Sequence, residues 1–274
     1  VVLLGSSQVR EGLDCDLISE RLDGRPCVNL GIGAGSPLDV LFLAGRIEKS
    51  VPHRISVLGL FPKILHVAPK TVFTNLRTAS CLLRSGALLG MSMSERLDVA
   101  YGLVESGSET LRNKDALAAA YHAVAGDVRG AWRLRPPAQP QRMLDEEYRQ
   151  PPSYFRARVG RVDPDQGRPG LLTVAQEDAL DALIAFERKA GRTLVILDFP
   201  TRPGYETTLA PETRQHYAAL LARLRSRRDV VLVGVELLPA FSADDFLDFT
   251  HLAESGRRTM SLRLAEIVAA LPPR

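Results

Sequence analysis

A serine hydroxyl is a weak nucleophile at neutral pH unless an imidazole within hydrogen-bond reach can take its proton. Two distant stretches of the chain carry the side chains for such a pair. Near the start it reads Leu4-Gly5-Ser6-Ser7-Gln8, and near the end Leu247-Asp248-Phe249-Thr250-His251-Leu252. Only five histidines occur, and His251 stands three residues after an aspartate. That spacing lets one short loop deliver a base together with its carboxylate, which would fix the imidazole tautomer and support the imidazolium. Each stretch also has a structural explanation. Ser6 and Ser7 suit the N-terminus of a helix, where serine is a favoured cap, and an aspartate capping beside a surface histidine is an equally ordinary pattern.

A third stretch, Asn29-Leu30-Gly31-Ile32-Gly33-Ala34-Gly35-Ser36-Pro37, has glycines at alternate positions. Such a loop allows close backbone approach and can aim N–H groups at an oxyanion. It also reads as a tight turn before a helix. It does not fit the dinucleotide pattern, because Ser36 stands where the third glycine should be and no ribose-binding acid follows a later strand.

These loops need a frame that brings the chain's ends together. Short apolar, β-branched runs at Val1–Leu4, Cys27–Leu30, Ile55–Leu60, Thr193–Leu197 and Val230–Val235 read as buried parallel strands. Helical patterns separate most of them: Asp14–Leu22, Leu38–Lys49, Ala175–Ala190 and Glu212–Arg225. Leu180, Leu183, Ile184 and Phe186 mark the inner side of the third, with acidic residues near its N-terminus. A last helix, Ser255–Leu271, turns Leu262, Leu264, Ile267 and Val268 inward. Alternating strands and helices imply right-handed crossovers and a five-stranded parallel sheet covered on both faces, a flavodoxin-like α/β/α sandwich. In that order ligands bind beyond the carboxyl ends of the strands, beside the first one. Ser7 would stand at the mouth of that crevice.

We read residues 1–274 as one such domain, interrupted by an insertion over about 63–172. The insertion has helix-like stretches at Thr71–Leu89, Ser94–Val104 and Lys114–Arg133, then prolines from Pro136 to Pro169 that favour irregular surface chain. It is expected after the third strand, where it could cover a site at the strand ends.

Composition narrows the function classes. The net charge of +3 comes from 35 basic against 32 acidic residues, too even for the concentrated basic face that nucleic acid requires. Cys15, Cys27 and Cys81 form no zinc-type pattern and are expected to be buried free thiols. No metal or cofactor is expected. No apolar run reaches transmembrane length. The chain opens directly on a strand, so a leader or anchor upstream is expected.

Together the three loops resemble the SGNH/GDSL hydrolase superfamily. Gly5-Ser6-Ser7 is similar to its first block, Gly-Asp-Ser, with Ser6 in place of the aspartate; it is this alignment that prefers Ser7 over Ser6. Asn29 to Gly35 is similar to the second block, Asn-x-Gly-x-x-Gly, whose last glycine falls on Ala34 with Gly35 adjacent. Asp248 to His251 matches the fifth block, Asp-x-x-His. The resemblance implies Ser7, His251 and Asp248 as a catalytic triad, and an oxyanion hole from the N–H groups of Ser7 and of Ala34 or Gly35. The third block, Gly-x-Asn-Asp, departs: the chain has Gly59-Leu60-Phe61-Pro62, without the asparagine that donates to the oxyanion. A Gly-Ser-Ser start with a degenerate third block resembles the acyl-transferring branch, the D-alanine-transfer proteins of teichoic acid synthesis and the polysaccharide O-acetylation proteins. That branch implies an acyl donor, a carbohydrate acceptor, a membrane acyl-donor protein as partner, and an extracytoplasmic, membrane-tethered setting. A non-catalytic module of the same fold, binding a glycan or a protein, is the alternative, supported by Phe61 and Ala34.

The other polar groups near strand ends are weaker candidates. Arg202, after the fourth strand, could meet an anionic substrate or carrier. Asp198 and Glu236 are alternative acids for the triad. His53, His66, His122 and His216 have no partner nearby in sequence and are read as surface or structural.

Overall fold

The computed structural model describes residues 1–33, 35–48, 51–66 and 171–272, with Ala100. Its frame is one sheet of five parallel strands, β1 (Val2–Leu4), β2 (Val28–Asn29), β3 (Ile55–Leu60), β4 (Thr193–Asp198) and β5 (Val231–Val233), in the order β2-β1-β3-β4-β5. This is the expected flavodoxin-like order. The inner strands match their apolar runs closely. Leu3 and Leu4 of β1, Val57, Leu58 and Leu60 of β3, and Val195, Ile196 and Leu197 of β4 are all fully buried. The edge strands are shorter than expected, since a strand with one neighbour loses its ladder as soon as the chain bends away.

Six helices accompany the strands: α1 (Ser7–Gly12), α2 (Cys15–Arg21), α3 (Pro37–Ile47), α4 (Leu171–Lys189), α5 (Pro211–Arg225) and α6 (Glu254–Ala269). Right-handed crossovers from a sheet of this order put α3, α4 and α5 on one face and α1, α2 and α6 on the other. The packing agrees, with α3 against α4 and α6 against α2 and α1. Arg223 of α5 clamps Glu177 and Asp181 of α4. Helix α3 starts where its sequence dictates: Ser36 and Asp39 form a reciprocal capping box around Pro37. In α6 the inward stripe is Gly256, Met260, Ser261, Leu264, Ala265 and Val268, whereas Leu262 and Ile267 are only half-buried. The stripe includes two small residues with specific neighbours: Gly256 packs on Asp245 and Leu252, and Ser261 Oγ accepts from Asp14 N–H at the start of α2.

The expectation of free thiols fails for two of the three cysteines. Cys15 and Cys27 form a disulfide, with Cα atoms 5.1 Å apart. Helix α2 and the turn after it, where Asp23 and Gly24 take positive φ, fold the chain back so that the residue before β2 meets the one opening α2. A twelve-residue spacing belongs to no recognised pattern, and only the turn brings the pair together. Cys81, and most of the insertion expected over about 63–172, lie outside the described residues; of that range 63–66 belong to a 3-10 turn, Ala100 is helical, and 171–172 open α4.

Candidate active site

The site begins where β1 ends. Gly5 has φ +145°, and a Cβ there would lie 2.7 Å from the Val9 side chain and 3.2 Å from Gly59 O. Only glycine lets the chain turn this sharply out of β1, and the turn places Ser6 and Ser7 at the start of α1. Ser6 is the N-cap by position, but its hydroxyl makes no capping bond. Instead it is buried and donates to Gln8 Oε1. The capping explanation therefore accounts for neither serine's hydroxyl.

Ser7 Oγ lies 2.9 Å from His251 Nε2, across 244 residues of chain. His251 Nδ1 lies 2.7 Å from Asp248 Oδ2. The three groups thus form one continuous line, hydroxyl to imidazole to carboxylate. The loop that carries the last two is held on all sides. Asp248 Oδ1 accepts from the backbone N–H of Thr250 at 2.7 Å and of His251 at 2.8 Å. Leu247 N–H donates to His251 O, Ala253 N–H donates to Asp245 O, and Phe246 bridges Leu252 as an antiparallel pair. Phe246 and Leu252 are buried and anchor the loop in the core. Its dock on α1 is Gly12: a Cβ there would stand 2.7 Å from Phe199 and 3.5 Å from Leu252. Any larger residue would collide with the Phe199 ring.

Electrostatics follow from this geometry. Burial alone would lower the His251 pKa, but the Asp248 hydrogen bond and charge, aided by Glu11 and opposed by Arg10, leave it raised above its ordinary 6.5. Burial works the other way on Asp248, yet the His251 hydrogen bond and charge and the two backbone N–H donors hold its pKa below the ordinary 3.8. The acid therefore stays ionised where the base titrates. The side chains of His251 and Asp248 remain 18% and 22% exposed, so the relay is reachable from solvent.

The oxyanion side differs from the expectation. Gly35 N–H donates to Ile32 O at 2.8 Å, closing a turn, and so is not free to hold an oxyanion. Ala34, the other expected donor in this loop, lies outside the described residues. The Ser7 N–H has no acceptor among the described residues, as is normal for the first turn of a helix. Phe61, in the third block, is buried in the core and presents no donor to the site. Asn29 has a positioning role: its Nδ2 donates to the carbonyls of Val9, Arg10 and Leu13, and its Oδ1 accepts from Gly31 N–H. It ties the second loop to the end of α1.

Arg202 comes to the rim by its backbone, whose N–H donates to Phe249 O beside the acid. Its side chain makes no ion pair among the described residues. Asp198 and Glu236 are not in the triad. Asp198 accepts from Tyr217 Oη at 2.7 Å, and burial raises its pKa to about 6 against the pull of that hydrogen bond. Glu236 pairs with Arg225 in solvent. His53 and His216, read as surface or structural with no partner nearby in sequence, differ from each other: His53 has local partners, Val51 O and Ser56 Oγ, whereas His216 meets the distant Glu177. His66 closes a 3-10 turn after β3, and His122 lies outside the described residues.

Three further residues complete the site. Gln8 Nε2 donates to Thr250 Oγ1 at 3.2 Å, and Thr250 Oγ1 donates on to Asp248 Oδ1 at 3.4 Å. Ser6, Gln8 and Thr250 thus form a second, parallel tie between the two loops. Glu11, one helical turn beyond Ser7, sets its Oε2 3.8 Å from His251 Nε2. The i, i+4 relation to Ser7 was the available signal for Glu11; Gln8 and Thr250 had none beyond adjacency. Among the described residues no cluster of His, Cys, Asp and Glu is arranged to hold a metal ion, and no helix is long and apolar enough to cross a membrane. No protein-family model and no curated protein gives a significant match to the chain.

Proposed function

We propose that the protein is a serine-dependent acyl-ester hydrolase or O-acyltransferase of SGNH type, acting through an acyl-enzyme on Ser7. The observation that carries this reading is the unbroken relay from Ser7 through His251 to Asp248, with contacts of 2.9 and 2.7 Å. His251 takes the Ser7 proton as the oxygen attacks an ester or thioester carbonyl. The Ser7 N–H holds the oxyanion, with Ala34 N–H as its second donor. His251 then returns the proton to the leaving group. Water or a carbohydrate hydroxyl, deprotonated by the same nitrogen, releases the acyl group from Ser7. Without the third-block asparagine the hole has one donor fewer, a loss typically of about 100- to 1000-fold in turnover.

A glycan- or protein-binding module without catalysis would be favoured by a hydroxyl and an imidazole held apart. The 2.9 Å contact supports the catalytic reading instead. Resemblance to the acyl-transferring branch adds a membrane acyl-donor protein and an extracytoplasmic setting to the proposal, and Arg202 as a contact for an anionic donor. The Cys15–Cys27 disulfide supports that setting, since such bonds persist in oxidising compartments.

The test is fluorophosphonate labelling read by intact mass. The parent should gain one adduct on Ser7, and S7A and H251A none. Folded protein that stays unlabelled, or S7A that still reacts, overturns the reading. Hydrolysis of p-nitrophenyl acetate with and without sugar acceptors then separates esterase from transferase: acceptor-independent release marks the esterase.

A further inference from the structure

We infer that Glu11 is the acceptor-side residue of this site and selects an incoming nucleophile that carries a second donor hydrogen, either water or a vicinal diol. The inference rests on the acyl-enzyme reading above. His251 has a carboxylate at each ring nitrogen. Asp248 is bonded to Nδ1 at 2.7 Å, while Glu11 Oε2 stands 3.8 Å from Nε2, the nitrogen that faces Ser7. Glu11 is held there by α1, one turn from the nucleophile, and by the Arg10 guanidinium, which engages its other oxygen, Oε1. Its Oε2 has no hydrogen-bond donor among the described residues.

When Ser7 is acylated, the incoming hydroxyl must approach His251 Nε2 to lose its proton. A separation of 3.8 Å is too long for a hydrogen bond between Nε2 and Oε2, but it allows one oxygen to lie within about 2.8 Å of both. Water fills that position and donates one hydrogen to each. A vicinal diol does the same with two oxygens: one hydroxyl donates to Nε2 and its neighbour to Oε2. A monohydric alcohol has one hydrogen, gives it to Nε2, and leaves the carboxylate without a donor. The step balances. The acceptor oxygen forms a bond to the acyl carbon, the bond from that carbon to Ser7 Oγ breaks, and the acceptor's proton passes through Nε2 to Oγ. Glu11 stays ionised and takes no proton.

The test is product partitioning. The enzyme is acylated with p-nitrophenyl acetate in equal concentrations of ethane-1,2-diol and ethanol, and the two acetate esters are quantified. After halving for the diol's two hydroxyls, the parent should favour the glycol ester by on the order of tenfold, the scale of one hydrogen bond to a charged acceptor. E11A should bring the ratio close to one, and E11D, which keeps the charge on a shorter arm, should give an intermediate value. Because the ratio is set after the acyl-enzyme forms, any effect of a substitution on acylation divides out. A parent that labels at Ser7 but shows no diol preference, or an E11A protein that keeps the preference, overturns the role of Glu11 alone. Absence of Ser7 labelling in the parent removes the acyl-enzyme and this inference with it.

Discussion

The sheet carries serine, histidine and carboxylate in contact at both of its ends, and only one arrangement is suited to chemistry. Beyond the carboxyl ends of the strands the order is Ser7, His251, Asp248, with the imidazole in the middle. At the amino ends of β3 and β4 the order is His53, Ser56, Glu187, with the hydroxyl in the middle. Ser56 gives its one proton to Glu187 at 2.9 Å, and Glu187 is in turn paired with Arg192 at 2.7 Å. Ser56 is fully buried and Glu187 nearly so. No substrate can reach that hydroxyl, and its proton is already committed to a buried carboxylate. The same residue types make a relay in one place and a rivet in the other. What separates them is the sequence of contacts and the access of solvent.

The largest difference should appear on removing each serine. S7A should lower ester turnover by on the order of 10⁴-fold or more, while S56A should stay within about twofold, both read with p-nitrophenyl acetate. An S56A protein as inactive as S7A would break the distinction. D248N should cost about 10³- to 10⁴-fold by leaving the imidazole in the wrong tautomer. At the other end the effect moves from rate to stability. E187A strands the Arg192 guanidinium in the interior, a loss of about 3–5 kcal/mol. A fall of about 10 °C in melting temperature should follow, with Ser7 labelling per folded molecule retained. A smaller effect is expected for Q8A, which cuts the second tie between the loops that carry Ser7 and His251: about a fivefold loss in turnover, the scale of one neutral hydrogen bond.

The pH profile is the finest discriminator. The base must be neutral to accept a proton, so turnover should rise with pH as His251 deprotonates, with a midpoint above 6.5, because Asp248 and Glu11 raise its pKa. E11A removes one of those raising charges and should move the midpoint towards acid. An unchanged midpoint would mean that Glu11 and His251 do not sense each other in solution.

Much of this was legible in the chain. The inner strands announced themselves as unbroken apolar runs because both faces of the sheet are covered. Asp248 and His251 could be read as a pair because one local turn contains both. What could not be read depended on the meeting of distant segments. Cys15 and Cys27 pair only because of the turn at Asp23 and Gly24. Gly35 looked free for an oxyanion until the turn to Ile32 engaged its amide. His216 gained its partner, Glu177, from another helix. Helix α1 is six residues long, too short for a periodic signal, and the role of Glu11 was hidden with it.

Chain order also sets a schedule. Ser7 leaves the ribosome 244 residues ahead of His251, the base that its hydroxyl meets among the described residues. Through the growth of β1 to β5 the hydroxyl is as inert as any surface serine. On the acyl-enzyme reading proposed above, it would gain its base only once the loop before α6, a helix packed against α1 and α2, lies across the first turn of α1. On that reading folding would itself be the activation step, and nascent or truncated chains that stop before that loop should be blind to fluorophosphonate.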